Sequence, residues 1–297
     1  LHRGGVFGES SFTTDRFLPQ SASLIQDAKL DSQRRNNMGN QLKHPAGNFC
    51  WFELASSDQN AAKEFYTKLL GWSFVDSPMG EGMGDYTMFN INGKDVGGLY
   101  QLGGPMQGVP PHWAIYVCVD SADQAAAKAA ELGGEILNPP MDVFTYGRMA
   151  AIKDPTGAAF CVWEPKEHNG ADLAGETGSA CWGELSTRDV AAAKAFYTAL
   201  FGWELKESQM MEYTELINGG RPIGGMMPMP AQMGEGVPPH WLTYFTVGDC
   251  DATAEQATAL GGRVLFPPTD IPNTGRFSVI QDPQGATFAV ITLLPRG

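Results

Sequence analysis

Histidine and cysteine are scarce in this chain of 297 residues, which carries five of each. The cysteines, Cys50, Cys118, Cys161, Cys181 and Cys250, are odd in number, widely spaced and without a C-x-x-C pair. That pattern argues against a disulfide framework or a zinc knuckle and for reduced thiols in the cytoplasm. Basic residues are also few. Twenty Lys and Arg stand against 33 Asp and Glu, a formal net charge of −13. Such a surface repels phosphate backbones, so nucleic acid is not an expected partner. No apolar run approaches the roughly 20 residues of a membrane-spanning helix, so no membrane partner is expected either. Residues 1–37 lack both periodicity and a continuous apolar stretch. They read as a disordered or non-native extension, with Met38 as the expected native start.

What the sequence has in abundance is repetition. Trp51–Trp72, "WFELASSDQNAAKEFYTKLLGW", is echoed by Trp182–Trp203, "WGELSTRDVAAAKAFYTALFGW". "GVPPHW" occurs at Gly108–Trp113 and again at Gly236–Trp241, and "YGRMAAIKDPTGAAFCV" is matched by "TGRFSVIQDPQGATFAV". Order and spacing are kept, so the chain is a tandem duplication of units far too long for a solenoid period. The units are expected at 47–166 and 179–295, joined by a polar, Gly-rich linker at 167–178.

Within each unit Asp58 or Asp189 is placed to cap a helix, and Ala61, Phe65 and Leu69 share one face of the first copy. Gly71 or Gly202 stands where a left-handed C-terminal residue belongs. A second helix is expected from about Ser121 to Leu132, and short alternating segments lie between the helices. The Met-rich "GGMMPMPAQMGEG" and "QMMEY" of the second copy read as loops. The expected fold is therefore α+β, with four βαβββ modules in the chain.

That arrangement, with D-x-x-x-A-x-x-F-Y-x-x-L-x-G-W at Asp58–Trp72 and D-P-x-G at Asp154–Gly157 and Asp282–Gly285, resembles the vicinal oxygen chelate superfamily. Glyoxalase I, bleomycin-resistance proteins and extradiol dioxygenases belong to it. The W-x-E-L and P-P-H-W words are most similar to its tandem two-domain members that carry the label hydroxylase. The resemblance implies two tandem domains, each a sheet curved around a cavity with helices outside. It does not fix a reaction, because one fold hosts several chemistries.

Strand alternation sorts side chains between the two faces. Trp113, Ile115, Val117 and Val119 suit the helix layer, leaving His112, Ala114, Tyr116 and Cys118 for the cavity. In the second copy Trp241, Phe245 and Val247 face the helices, and His240, Leu242, Tyr244 and Thr246 the cavity. Trp51 and Glu53, Trp182 and Glu184, and Cys161 and Trp163 fall on the cavity face, with Ala289 and Ile291 as the second-copy counterparts of the last pair.

The resemblance also implies where a divalent metal would be held. The matching positions hold Trp51 and Trp182, Ala114 and Leu242, and Cys161 and Ala289, so the usual ligand set is expected to be lost and no cofactor is expected. A displaced metal on His112, Glu53 and Cys161 is the alternative. Glu53 with His112, and Glu184 with His240, are the polar pairs both copies keep. They read as an acid–base pair or ligand clamp, or else as a structural tie between strands. Tyr116 and Tyr244 are candidate donors to a ligand oxygen. Trp51, Trp163 and Trp182 are candidate ligand-contact rings, and Cys161 is a contact thiol rather than a nucleophile. Arg148 and Arg276 are expected to pair locally with acids.

The expected function is binding of a small organic ligand in the cavity. The alternatives are a metal-dependent lyase or oxygenase, and a drug-sequestering resistance protein without turnover. The expected partner is the small molecule, and a homodimer is left open.

Overall fold

The computed structural model describes residues 42–80, 84–209 and 212–295. The extension read at 1–37, with the proposed start at Met38, and Met210–Met211 of "QMMEY" lie outside them. The first half runs β1 (Phe49–Ser56), α1 (Gln59–Leu70), β2 (Ser73–Pro78), β3 (Asp85–Ile91) and β4 (Lys94–Gln101). It continues with β5 (His112–Cys118), α2 (Ala122–Glu131), β6 (Glu135–Val143), β7 (Gly147–Lys153) and β8 (Ala159–Pro165). The second half repeats this as β9 (Ala180–Thr187), α3 (Val190–Phe201), β10 (Glu204–Glu207), β11 (Thr214–Asn218) and β12 (Arg221–Pro228). It ends with β13 (His240–Thr246), α4 (Cys250–Ala259), β14 (Arg263–Ile271), β15 (Gly275–Gln281) and β16 (Thr287–Leu293).

Each half makes one eight-stranded curved sheet, ordered β2-β3-β4-β1-β5-β8-β7-β6 and β10-β11-β12-β9-β13-β16-β15-β14. Two βαβββ modules meet where β1 runs antiparallel to β5, while β1 pairs in parallel with β4 and β5 with β8.

The local signals act as physics requires. Asp58 Oδ1 accepts from the Ala61 amide at 3.0 Å and Asp189 Oδ1 from Ala192 at 2.9 Å, each satisfying an N-terminal amide that the helix itself leaves unpaired. Gly71 and Gly202 close their helices at φ 71° and 74°, a left-handed conformation that a side chain would disfavour. Arg148 binds Asp123 and Arg276 binds Asp251, each at 2.6 Å. One expectation fails. Gly224–Pro228 of the Met-rich segment is strand, the end of β12, and Met226 is fully buried. Alternate residues of that segment face the core, a pattern that its three prolines and five glycines obscure.

The helices lie on the sheet faces turned away from the cavities, and those faces meet. Phe52, Leu54, Trp113, Ile115 and Phe160 of the first half share one apolar core with Leu185, Trp241, Phe245 and Phe288 of the second. Helix α1 packs on α4, α2 on α3, and β5 runs against β13. The core between the halves is stitched by buried polar bonds. Tyr66 Oη donates to Asp282 Oδ2 (3.0 Å) and Tyr197 Oη to Asp154 Oδ2 (2.8 Å). Trp72 Nε1 donates to the Gly178 carbonyl (2.7 Å) and Trp203 Nε1 to the Gly47 carbonyl (2.8 Å).

The connecting segment is packed rather than loose. The Ala171 amide donates to the Cys50 carbonyl (2.7 Å), and the Asp172 amide to the Asp95 carbonyl (2.7 Å). Gly170 sits so close to Cys50 that a Cβ there would lie 2.4 Å from its carbonyl oxygen.

Candidate functional site

On each concave face a glutamate stands at the centre of a polar cluster in otherwise apolar surroundings. In the first half Trp51 and Glu53 project from β1. Tyr116 projects from β5, directly opposite Trp51, and Ala114 lies opposite Glu53. Tyr116 Oη donates to Glu53 Oε2 at 2.7 Å, and Tyr86 Oη of β3 donates to Glu53 Oε1 at 2.6 Å. Trp51 Nε1 in turn donates to Tyr86 Oη at 3.1 Å. The second half repeats the arrangement. Tyr244 Oη donates to Glu184 Oε1 at 2.8 Å, Tyr213 also hydrogen-bonds Glu184, and Trp182 Nε1 donates to Tyr213 Oη at 2.8 Å.

Tyr86 and Tyr213 were not singled out from the sequence, yet each completes its cluster. The signal that could have found them is a glycine pair one strand away. Tyr86 lies over Gly98 and Tyr213 over Gly225, where a Cβ would come within 2.0 Å of the tyrosine hydroxyl in either case. "VGGLY" and "IGGMM" are therefore floors cleared for a phenol.

The electrostatics assign roles. Burial pushes the Glu53 and Glu184 carboxyls above the usual glutamate range, although the tyrosine hydrogen bonds pull the other way. Burial, with the neighbouring carboxylate second, pushes Tyr86, Tyr116, Tyr213 and Tyr244 far up. The phenols thus stay protonated donors at neutral pH, and the carboxylate is the one group in each cluster poised to take or give a proton. A carboxylate offers about four acceptor positions. Two are filled by tyrosines, which leaves room for a donor on a ligand.

The expected pairing of Glu53 with His112, and of Glu184 with His240, does not form. His112 Nδ1 bonds the Pro110 carbonyl at 2.9 Å, and His240 Nδ1 the Pro238 carbonyl at 3.0 Å. A carbonyl can only accept, so Nδ1 carries the proton. His112 and Tyr116 are both diagonal neighbours of Glu53 across the β1–β5 ladder. The longer tyrosine reaches the carboxylate, while the Pro-Pro turn offers the imidazole a carbonyl of its own. Trp163 lies on the same concave face as Trp51, Tyr116 and Cys161. The Cys161 thiol is pushed up to about 12, chiefly by burial, and stays an inert contact.

The residues present do not fit a divalent metal. The positions where a ligand set would stand carry Trp51, Ala114 and Cys161 in one half and Trp182, Leu242 and Ala289 in the other, all on the concave faces. The one thiol among them holds its proton, and Glu53 and Glu184 are engaged by phenols. Among the described residues no three His, Cys, Asp or Glu side chains come together to hold a metal, so the displaced set of His112, Glu53 and Cys161 is not assembled.

With the geometry established, comparison places the chain. Residues 48–162 and 182–290 match the Glyoxalase/Bleomycin resistance protein/Dioxygenase superfamily, to which the chain belongs. It is similar to "Putative glyoxylase CFP32" of Mycobacterium tuberculosis, with 43% identity over 83% of this chain and 95% of that protein. It is also similar to "Anthracycline biosynthesis protein DnrV" of Streptomyces peucetius, with 38% identity over 82% of this chain and 92% of that protein. In fold it resembles the Mn(II)-bound glyoxalase from Novosphingobium aromaticivorans, with a TM-score of 0.60 and 17% identity over 84% of this chain and 83% of that one. Among the described residues no helix is long and apolar enough to cross a membrane.

Proposed function

We propose that the protein binds a small organic molecule on a concave sheet face, without a metal, through the glutamate–tyrosine–tyrosine cluster. The observation that carries this reading is the cluster itself: a carboxylate with a raised pKa, two phenolic donors and an indole, set in an apolar cup. A structural tie between strands needs one hydrogen bond. Three converging polar side chains with acceptor positions to spare suit a ligand that carries an O–H or N–H. The glutamate can then act as the general base or acid toward that group. The relatives carry names drawn from small-molecule metabolism, a glyoxylase and proteins of anthracycline biosynthesis, which supports a small organic ligand over a macromolecule. Five free cysteines and the net charge of −13 support a cytoplasmic protein that does not engage nucleic acid.

The test is calorimetric titration of chelator-treated protein with a panel of small phenols, enols and dicarbonyls. Saturable binding that survives the chelator and is lost in the Glu53→Gln/Glu184→Gln double variant is expected. Binding that requires added divalent metal, or no saturable binding at all, would overturn the reading.

A further inference from the structure

The two cups are copies in sequence but not in content. In the first half the cup is filled from within and closed from above. Trp163 lies over Gly147, so close that a Cβ there would fall 2.3 Å from the indole. Trp163 Nε1 donates to the His168 carbonyl at 2.9 Å, which pins the connecting segment across the cup. The His168 ring then sits edge-on to Trp51, with ring centres 4.7 Å apart. Trp51 is left 5% exposed and Cys50 fully buried.

In the second half Ile291 stands where the first has Trp163, and Phe277 stands where it has Met149. Trp182 and Cys181, the counterparts of Trp51 and Cys50, are half-buried rather than buried. The change from Trp to Ile removes an indole from the floor. The change from Met to Phe completes a row of rings. Tyr244 and Phe277 lie 6.1 Å apart at an interplanar angle of 31°, and Phe277 and Phe266 are stacked 5.3 Å apart at 22°. The row climbs from Tyr244, buried beside Glu184, to Phe266, which is 44% exposed at the rim. The first half has Asn138 in place of Phe266 and so has no such row.

We propose that the second cup, and not the first, is the ligand site, and that it takes a planar aromatic molecule with a hydroxyl or ammonium at one end. This rests on the proposed binding function. Near-parallel rings present flat apolar faces to a flat ligand, and aromatic pairs prefer offset stacking. Glu184 at the buried end accepts the ligand's proton donor, while Leu242 and Ile291 close the apolar floor. The first cup serves as the rigid half of the scaffold.

The probe is 2-naphthol, planar and phenolic, titrated against the full chain by fluorescence and equilibrium dialysis. One equivalent is expected to bind. Phe277→Met, which installs the first-half residue, should weaken it about tenfold, and naphthalene, lacking the donor, should bind about tenfold more weakly than 2-naphthol. The reciprocal Met149→Phe should change affinity less than about twofold, because site changes without shared partners act independently. Ile291→Trp should block the cup. If that variant fails to fold, the volume-conserving Phe277→Met decides. Two equal sites per chain, or loss in Met149→Phe with Phe277→Met unaffected, would overturn the assignment. Failure of 2-naphthol while other small ligands bind would sink this inference alone, and failure of every ligand would sink the proposed function with it.

Discussion

The Tyr66 hydroxyl donates to Asp282 Oδ2 across 3.0 Å, although the two residues are 216 positions apart in the chain. Asp282 Oδ1 meanwhile accepts from the amides of Gln284, Gly285 and Ala286, holding the D-P-x-G turn. Tyr197 completes the turn at Asp154 in the same way. A helix of each half thus finishes a turn of the other. Tyr66→Phe or Tyr197→Phe leaves a buried carboxylate oxygen without its partner and should cost about 1–3 kcal/mol each. Urea unfolding checks this. Both variants should keep a single transition, because one core spans both halves. Two separated transitions in the wild type would contradict the shared core.

Glu53 and Glu184 hold their protons more tightly folded than unfolded. The stability each confers is full below the ordinary glutamate value of 4.5 and declines as pH rises through the raised folded value. Glu184→Gln has no such decline at that site. Thermal unfolding followed from acid to neutral pH should therefore show the variant gaining on the wild type as pH rises. A difference independent of pH would contradict a raised folded pKa.

Gly225→Ala would place a Cβ 2.0 Å from the Tyr213 hydroxyl and push the phenol off Glu184. The expected result is a loss of about 1–3 kcal/mol in stability, with weaker ligand binding. Tyr213→Phe removes the same hydrogen bond without the clash, and should weaken ligand binding at a smaller cost in stability. Unchanged ligand affinity in both variants would remove Tyr213 from the site.

Cys161, with its thiol held up to about 12, carries almost no thiolate at neutral pH. Iodoacetamide treatment of the native protein at pH 7, read by peptide mass spectrometry, should leave it unmodified. Denaturant should expose it to labelling at once. Rapid native labelling would mean that the first cup opens.

Much of the fold was legible because its signals are local. Capping aspartates, closing glycines and period-two strands sort Trp113 from His112 and Phe52 from Glu53 without any tertiary knowledge. An amphipathic helix, however, states that it has an apolar side and not whose surface it meets, so the union of the two halves through α1 and α3 could not be read. Within the site, the glutamates and Tyr116 and Tyr244 were found on the correct face. The choice between His112 and Tyr116 as the partner of Glu53 depended on reach across a diagonal, which alternation does not encode. Tyr86 and Tyr213 were hidden because their evidence is a missing side chain on a neighbouring strand. His168 was hidden because a polar, aperiodic segment carries no pattern that says where it will lie.

The reciprocal bonds of Tyr66 with Asp282 and Tyr197 with Asp154 have the form of an isologous contact, in which residue i meets residue j and j meets i across a two-fold axis. The halves are thus related to each other as subunits of a homodimer are, but they share one chain. An association that would otherwise dilute away is here intramolecular, set by the effective concentration that the tether imposes. Covalent union also frees the copies from identity. A self-paired chain must carry the same residue in both cups, whereas this one can hold Trp163 in one and Ile291 in the other, keeping one as support while the other changes.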